Sequence, residues 1–255
     1  MSTKRSRITA ITSGKGGVGK TFVAANMAAA LARQGRKVLV LDADLGLANL
    51  DVVLNLYPKI TLHDVFTGKA TLAEATLAAP GGFSVLLAGS GMVEYSRMTP
   101  EVREQLQKVI DEVAPKYDHV LLDTGAGISD VVLYTISLAD EVLVIVTPEP
   151  TSMTDAYATI KVLATTQGRR DMRVLVNQVR RPGEGRAVRQ QLQAVVDRYV
   201  NPGLDGVVRL SLLGEVPTDT AVRDAVLKRQ LLLEALPGAP ASVAIATAAT
   251  HLDDE

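Results

Sequence analysis

The chain contains no cysteine among its 255 residues. This absence excludes disulfide bonds, iron–sulfur ligation and thiol catalysis, and it fits a reducing compartment. Histidine is scarce as well, since His63, His119 and His251 lie far apart in the sequence with no carboxylate or cysteine at metal-ligand spacing. We therefore expect the histidines to be surface or packing residues and not metal ligands.

The chain also has no excess charge and no long apolar run. Its formal net charge is −1, so any binding of nucleic acid or anionic lipid would depend on a local patch. The basic N-terminus, Met1 to Arg7, leads into an apolar run that is too short for a signal peptide. No stretch approaches the roughly 18 apolar residues of a membrane span. These features predict a cytoplasmic protein.

The composition is that of a folded α/β protein. Hydrophobic residues make up 47% of the chain and charged residues 22%, which is ample for a packed core. Large α/β domains reach this length, so we predict a single domain over residues 1–255.

Short apolar runs alternate with helical patterns along the whole chain. Strands are predicted at Ile8–Thr12, Lys37–Leu41, Phe83–Leu87, His119–Leu122, Glu141–Val146, Arg173–Asn177 and Val207–Leu213. Helices are predicted from about Val23 to Gly35 and at Pro100–Val113, Thr151–Thr166 and Ala187–Tyr199. This alternation predicts βαβ units, and hence a mostly parallel twisted sheet with helices on both faces.

A glycine-rich segment lies directly after the first predicted strand and before the first helix. Its sequence is Gly14-Lys15-Gly16-Gly17-Val18-Gly19-Lys20-Thr21. It satisfies the pattern G-x-x-x-x-G-K-[ST] in the context that this phosphate loop requires. Glycines let backbone N–H groups converge on phosphate oxygens, Lys20 can reach the β- and γ-phosphates, and the Thr21 hydroxyl can bind Mg²⁺. A glycine turn that binds nothing would rarely occur in this context, so the sequence predicts a site for ATP and Mg²⁺.

Aspartates follow two of the predicted strands. Asp42 and Asp44 end one of them, and Asp123 ends another. An aspartate at this position of a phosphate-loop fold commonly holds Mg²⁺ through water, which suits Asp123. Asp44 could position or deprotonate the attacking water. A lone aspartate after a strand more often forms a turn or caps a helix, and for Asp42 the sequence leaves both interpretations open.

Lys15 turns the loop into the variant K-G-G-x-G-K-[ST], the deviant Walker A motif. Together with Asp42–Asp51 and Asp123–Gly127, this motif identifies a resemblance to the MinD/ParA superfamily over nearly the whole chain. Within it, Asp42–Asp51 and Glu149–Ala158 are most similar to the FlhG (FleN) group of regulators of flagellar number and placement.

The resemblance implies roles for individual residues. Lys15 would reach across an ATP-sandwiched homodimer to the partner's phosphates, and Asp44 would activate water with Asn49 nearby in a first switch segment. Asp123–Gly127 would form a second switch segment that senses the γ-phosphate.

Base recognition in the family implies three further residues. Asn177, Pro217 and Asp219 are similar to elements that favour adenine. Asparagine after a strand and Pro-Thr-Asp before a helix are also ordinary turn and helix-start signals, so both interpretations stay open.

The resemblance also implies partners. A flagellar regulator would bind a transcription activator or a flagellar assembly protein in its ATP state, with slow intrinsic turnover. MinD and FlhG proteins usually end in a basic amphipathic helix that binds membranes, whereas the segment from Ala239 to Glu255 is rich in small residues and acidic. Membrane association at the inner membrane or a cell pole therefore has no clear support from the tail.

The alternative function is a ParA-like DNA-partitioning ATPase that holds DNA nonspecifically. A basic cluster would carry it, formed by Arg180, Arg181, Arg186, Arg189 and Arg198. A solvated helix face is the simpler explanation of these arginines. Arg223, Lys228 and Arg229 form a second, weaker cluster.

Overall fold

One twisted sheet runs through the part of the chain that the computed structural model describes, namely residues 6–45, 49–89 and 97–254. Within these ranges its strands are β1 (Arg7–Ser13), β2 (Val38–Ala43), β3 (Thr76–Ala78), β4 (Ser84–Leu86), β5 (His119–Ala126), β6 (Glu141–Val146), β7 (Asp171–Val179) and β8 (Arg209–Pro217). Their spatial order is β3-β4-β2-β5-β1-β6-β7-β8. All neighbouring pairs are parallel except the antiparallel pair of β3 with β4. This arrangement confirms the predicted fold class.

Helices connect the strands. The longer ones in the described ranges are α1 (Lys20–Arg33), α5 (Pro100–Val113), α6 (Asp130–Ser137), α7 (Pro150–Thr166), α8 (Glu184–Tyr199), α9 (Thr220–Leu227) and α11 (Pro240–Asp253). The short ones are α2 (Leu50–Leu54), α3 (Leu62–Phe66), α4 (Leu72–Ala75) and α10 (Leu232–Ala235). Helix α5 begins as predicted, because Thr99 Oγ1 accepts a hydrogen bond from the Val102 amide and Pro100 occupies the first turn.

The sheet separates two apolar cores. Along β2, Leu39 and Leu41 pack in one core, while Val38 and Val40 pack in the other. Side chains of a strand alternate between the two faces, so a strand that is buried on both faces must be apolar throughout. This requirement explains the continuous apolar runs that predict the strands.

The structure has a strand at each predicted position, although most of the bounds differ by a few residues. Strand β8 continues past the predicted end at Leu213 to Pro217. Strand β3 is absent from the sequence-based prediction, because a three-residue edge strand shows no measurable period. Helix α11 is absent from it too, since its small residues give no amphipathic stripe.

Helix α11 belongs to a core. Ala241, Ile245, Ala248 and Leu252 are buried, and the helix packs on α1 and β8. The acidic, small-residue tail is therefore a structural element of the fold. Within the described residues, no helix is both long and apolar enough to cross a membrane.

The carboxyl ends of the central strands bring the predicted site together. Ser13 ends β1 at the start of the phosphate loop, and Asp42 of β2 lies opposite Asp123 of β5 in the parallel register. Ligands of open α/β sheets bind beyond these strand ends.

Candidate nucleotide-binding site

The phosphate loop, Gly14–Thr21, opens onto a cleft of about 670 Å³. Gly17 and Gly19 have φ angles of +78° and +90°, which favour glycine. A side chain added at Gly16 or Gly17 would meet no atom within 4 Å, so the backbone there faces open space. The N-terminus of α1 follows at Lys20, which adds the positive end of the helix dipole. This loop can therefore hold phosphate oxygens with its backbone.

Close packing also requires glycine at positions 14 and 19 of the loop. A Cβ atom on Gly14 would collide with the backbone carbonyl of Asp155 in α7. A Cβ atom on Gly19 would lie 2.5 Å from Nδ2 of Asn177. Val18, between them, is buried. These contacts fix the loop against α7 and β7, so Gly14, Val18 and Gly19 support the shape of the loop.

Three predicted side chains meet at the floor of the cleft. The Lys20 ammonium lies 2.6 Å from Oδ1 of Asp123, and both groups are buried. The Thr21 side chain lies close enough to the same carboxylate to lower its pKa. Lys20, Thr21 and Asp123 thus form one connected polar group directly beneath the phosphate loop.

The electrostatics of this floor suit a divalent cation. Burial raises the pKa of Asp42 well above its usual range, and the nearby charge of Asp123 raises that pKa further. Burial also raises the pKa of Asp123, and it outweighs the opposing effects of Lys20 and Thr21. A bound cation would compensate both carboxylates. Because hard cations prefer oxygen ligands, the Thr21 hydroxyl and the Asp123 carboxylate fit Mg²⁺.

No group of three or more histidine, aspartate or glutamate side chains in the described ranges could hold a metal by itself. Mg²⁺ typically keeps several waters and uses one or two protein ligands together with substrate phosphates. Thr21 and Asp123 match that pattern.

The first switch segment lies along one wall of the cleft. Asp44 and Asn49 both line it, and Oδ1 of Asp44 would lie 3.4 Å from a Cβ atom added to Gly125 at the end of β5. The two predicted switch segments are therefore adjacent. Residues 46–48, which belong to the predicted segment, lie outside the described residues.

Asp42 anchors this wall. Its Oδ1 accepts a hydrogen bond from the Asp44 amide at 3.2 Å, and its Oδ2 accepts one from the Leu50 amide at 3.4 Å. One carboxylate thus holds the backbone on both sides of residues 46–48. Of the two interpretations left open for Asp42, the turn-forming one matches these contacts.

Lys15 points away from the cleft floor. Its ammonium is 3.0 Å from Oε2 of Glu149 and 3.1 Å from Oγ1 of Thr151, at the N-terminus of α7. Both members of the ion pair are exposed, with 39% and 60% of their side-chain surfaces accessible. No sequence pattern predicts this pairing, although Glu149–Ala158 resembles the family, because the two segments are far apart in the chain.

The predicted base-recognition residues lie at the ends of the neighbouring strands β7 and β8, and none of the three is among the residues that line the cleft. Asn177 Nδ2 donates to the Val18 carbonyl at 2.8 Å, and its Oδ1 accepts from the Gln178 amide. Asn177 therefore braces the phosphate loop, a role that no sequence pattern suggests. Pro217 ends β8.

Asp219 connects two helices. Its Oδ1 caps α9 by accepting from the Ala221 amide at 2.9 Å, and its Oδ2 accepts from the Ala241 amide at the start of α11 at 3.1 Å. The helix-start interpretation thus has a direct structural basis. Adenine recognition by Asn177, Pro217 and Asp219 stays a prediction.

Comparison with known proteins agrees with this geometry. Residues 9–232 match the family model of the CobQ/CobB/MinD/ParA nucleotide-binding domain. The chain is 42% identical to the antiactivator FleN of Pseudomonas aeruginosa over 97% of its own length and 86% of that protein. It is 33% identical to the flagellum site-determining protein YlxH of Helicobacter pylori, covering 89% of this chain and 75% of the relative.

A solved structure shows the same architecture with nucleotide bound. The septum site-determining protein MinD of Pyrococcus horikoshii, complexed with Mg-ADP, superposes with a TM-score of 0.77 at 28% identity, over 97% of this chain and 96% of that one. The region that matches the family model contains the phosphate loop, both switch segments and all strands from β2 to β8. The chain therefore belongs to the MinD/ParA family of nucleotide-binding ATPases and is an ATP hydrolase that uses ATP and Mg²⁺.

Proposed function

We propose that this protein is an ATP-dependent dimerising switch that regulates the number and placement of flagella. In its ATP state the homodimer binds a flagellar transcription activator or a flagellar assembly protein, and hydrolysis resets it. Two relatives support the proposal through their names, one an antiactivator and the other a flagellum site-determining protein.

The position of Lys15 is the observation that supports an ATP-dependent dimer most directly. Its ammonium is held at the surface by Glu149 and Thr151 and is not among the groups that line the protein's own cleft. Exposed ion pairs contribute about 0–1 kcal/mol, so this contact is easily exchanged for another anion. A second protomer that presents phosphates here would bind Lys15 in trans. A cation added at the γ-phosphate stabilises the charge of the transition state only when that dimer has formed.

The other site residues act within one protomer. Lys20 binds the β- and γ-phosphates together with the backbone of the phosphate loop, and Asp44 orients the attacking water beside Asn49. Mg²⁺, held through Thr21 and Asp123, neutralises charge on the phosphates. Because stimulation by a partner is expected, intrinsic turnover should be slow.

The cellular setting follows from the same proposal. Residues 1–255 act as one ATPase unit in the cytoplasm, and recruitment to the inner membrane or a cell pole would occur through a partner. Asn177, Pro217 and Asp219 would favour adenine from the β7 and β8 ends of the cleft.

Light scattering tests the dimer. The wild type should be monomeric with ADP and dimeric with ATP, while Lys15→Ala should lose the ATP dimer or its turnover yet retain nucleotide binding. Lys108→Ala, which removes an exposed lysine on α5, is the matched control and should behave as the wild type. A normal ATP dimer with normal turnover in Lys15→Ala would remove Lys15 from the site.

Deletion of the gene tests the cellular role. Extra or misplaced flagella by electron microscopy, with normal inheritance of chromosome and plasmids, are the expected phenotype. Normal flagella with loss of DNA would instead assign the protein to the partition class.

One observation supports that second function. Arg180, Arg181, Arg186 and Arg198 are exposed around the start and end of α8, and no described residue forms an ion pair with them. Nonspecific DNA binding through this cluster would weaken steeply with salt. Absence of DNA binding by the ATP dimer at low salt would eliminate this alternative.

A further inference from the structure

An apolar surface lies beside the nucleotide cleft, where α2 and the loop after it meet the end of α9 and the loop after α10. Five of the ten exposed large hydrophobic side chains in the described ranges belong to it. We call this the α2/α9 surface, and its exposed apolar residues are Val52, Tyr57, Val226, Leu227 and Leu236. Tyr57 and Leu227 are the most exposed, at 77% and 72%. Clustering of this kind marks interaction sites more often than scattered exposure does.

The surface is concave. A cavity of about 430 Å³ opens between the end of α2, the loop that joins α9 to α10, and α10 itself, and its apolar lining includes Leu54, Leu56, Pro80 and Leu231. A pocket of this size can bury a large apolar side chain, and such buried anchors supply most of the energy of protein interfaces.

The rim of the surface is basic. Arg223, Lys228 and Arg229, the weaker basic cluster of the sequence, are all exposed, and none forms an ion pair with a described residue. The only acid that lines the cavity in the described ranges is Glu234, which pairs with Arg33 at 2.5 Å. No ion pair within the described part of the chain therefore compensates these three cations, although the exposed Asp224 lies on the same helix as Arg223.

Arg229 shows most clearly that a side chain is required here. It has a φ angle of +51° just after the end of α9, a position where glycine is the usual residue. Its guanidinium lines the cavity and donates a hydrogen bond to the Tyr57 hydroxyl at 3.3 Å. The chain thus accepts an unfavourable backbone conformation while it presents a cation next to an exposed aromatic ring.

We propose that the α2/α9 surface binds an acidic segment of another protein, which places a bulky apolar side chain in the cavity and carboxylates against Arg223, Lys228 and Arg229. A two-fold contact between copies of this chain is disfavoured, because it would gather the cations of both copies at one interface. The concave floor favours an inserted side chain over a flat bilayer. The proposal does not depend on ATP-driven dimerisation or on the flagellar role.

This surface shares two elements with the nucleotide cleft. Val53 of α2 and Val226 of α9 line the cleft, while the neighbouring Val52 and Leu227 face solvent. A segment bound here would contact the same helices that border the nucleotide.

Selection from a random peptide library displayed on phage tests the proposal. Wild-type protein is the target, and Leu227→Asp and Arg229→Glu variants serve for counter-selection. Enriched peptides should combine Asp or Glu with Leu, Phe, Trp or Met. A synthetic copy of one such peptide should bind the wild type by calorimetry, with affinity reduced at least about tenfold by either variant.

Matched controls lie elsewhere on the protein. Val207→Asp replaces an exposed apolar residue outside this surface, and Arg198→Glu reverses another exposed arginine, so both should leave peptide affinity unchanged. ATP turnover of Leu227→Asp within about twofold of wild type would show that the variant is folded.

Three results would overturn the proposal. The first is that no enriched peptide prefers the wild type to the variants. The second is that the enriched peptides contain no carboxylates. The third is that the synthetic peptide binds both surface variants as tightly as it binds the wild type. Sedimentation of wild type, but not of Leu227→Asp, with phosphatidylglycerol vesicles would assign the surface to a membrane and would likewise overturn it.

Discussion

The two ends of the sheet hold buried carboxylates in opposite states. At the amino ends of the strands, Asp253 accepts hydrogen bonds from the Arg36 guanidinium at 2.6 and 2.9 Å, and its other oxygen lies 2.8 Å from Nε2 of His119. Burial by itself would raise the pKa of Asp253, but Arg36 and His119 hold that pKa below its usual range. This carboxylate ties the end of α11 to the sheet.

At the carboxyl ends of the strands, the effect of burial on the carboxylate pKa outweighs the effect of the hydrogen-bond donors. The described residues that donate to Asp42 do so through backbone amides, and burial together with Asp123 raises its pKa. Lys20, the one cation on this floor among the described residues, pairs with Asp123 instead. The Asp253 carboxylate is thus compensated by cations within the chain, whereas the carboxylates beneath the phosphate loop are left partly uncompensated. Perturbed groups of this kind cluster at functional sites.

Removing the cation from the cleft floor should have the largest effect. Lys20→Met deletes the group that we propose to bind the β- and γ-phosphates, so turnover should fall at least about a hundredfold. Nucleotide affinity, measured with a fluorescent ATP analogue, should fall as well. Lys108→Met is the control on α5 and should retain both. Near-normal hydrolysis in Lys20→Met would contradict the proposal that Lys20, at the floor of the cleft, binds the phosphates.

Asp44→Ala should separate binding from chemistry. If Asp44 orients the attacking water as proposed, its loss should lower phosphate release by about a hundredfold, while the ATP-bound dimer accumulates in light scattering. Asp51→Ala, which changes an aspartate on α2 in the same switch region, serves as the comparison. Undiminished phosphate release would show that Asp44 does not act on the water.

Removing the Asp253 carboxylate at the amino ends of the strands should lower the stability of the fold and have little effect on ATP turnover. Asp253→Asn removes charge-assisted hydrogen bonds to Arg36 and leaves the buried His119 with a weaker partner, at a cost of about 1–3 kcal/mol. The pKa of Asp253 is lowered in the fold, so its contribution is present at neutral pH and is lost as the pH falls through the folded value. Urea unfolding should show a larger difference from wild type at pH 7 than at pH 3. A difference that is the same at both values would contradict the ion-pair account.

The smallest expected effect concerns Asp42, whose contribution to the free energy of unfolding should change with pH in the opposite direction to that of Asp253. The pKa of Asp42 is raised in the fold, so its contribution to stability is present in acid and is lost as the pH rises above the ordinary carboxylate range. The stability of wild type relative to Asp42→Asn should therefore decline from pH 4 to pH 8 in the absence of nucleotide. A rising difference would show that Asp42 is stabilised as a carboxylate.

The sequence predicts the structure well where the residues of a site are close together in the chain. Strand, glycine loop and helix follow one another within residues 7–33, so the phosphate loop can be identified from the order of its residues alone. Asp42 and Asp123 are equally accessible to prediction, because parallel strands bring their carboxyl ends to one edge.

Contacts between distant segments cannot be predicted in this way. The pairing of Lys15 with Glu149, the brace from Asn177 to Val18 and the double cap by Asp219 each join elements that only the sheet order brings together. The same holds for α11, whose small residues pack closely without an amphipathic pattern.

Mixing two inactive variants tests the switch most directly. Lys15→Ala retains Asp44 but cannot supply its lysine in trans, and Asp44→Ala can supply that lysine but cannot orient the water. In an equal mixture, each mixed dimer contains one complete site, so turnover should recover to about a quarter of wild type. Recovery to that level, from two proteins that are inactive alone, would establish that Lys15 acts across the dimer. A mixture that forms dimers by light scattering but is no more active than the sum of its parts would contradict the dimeric ATP switch.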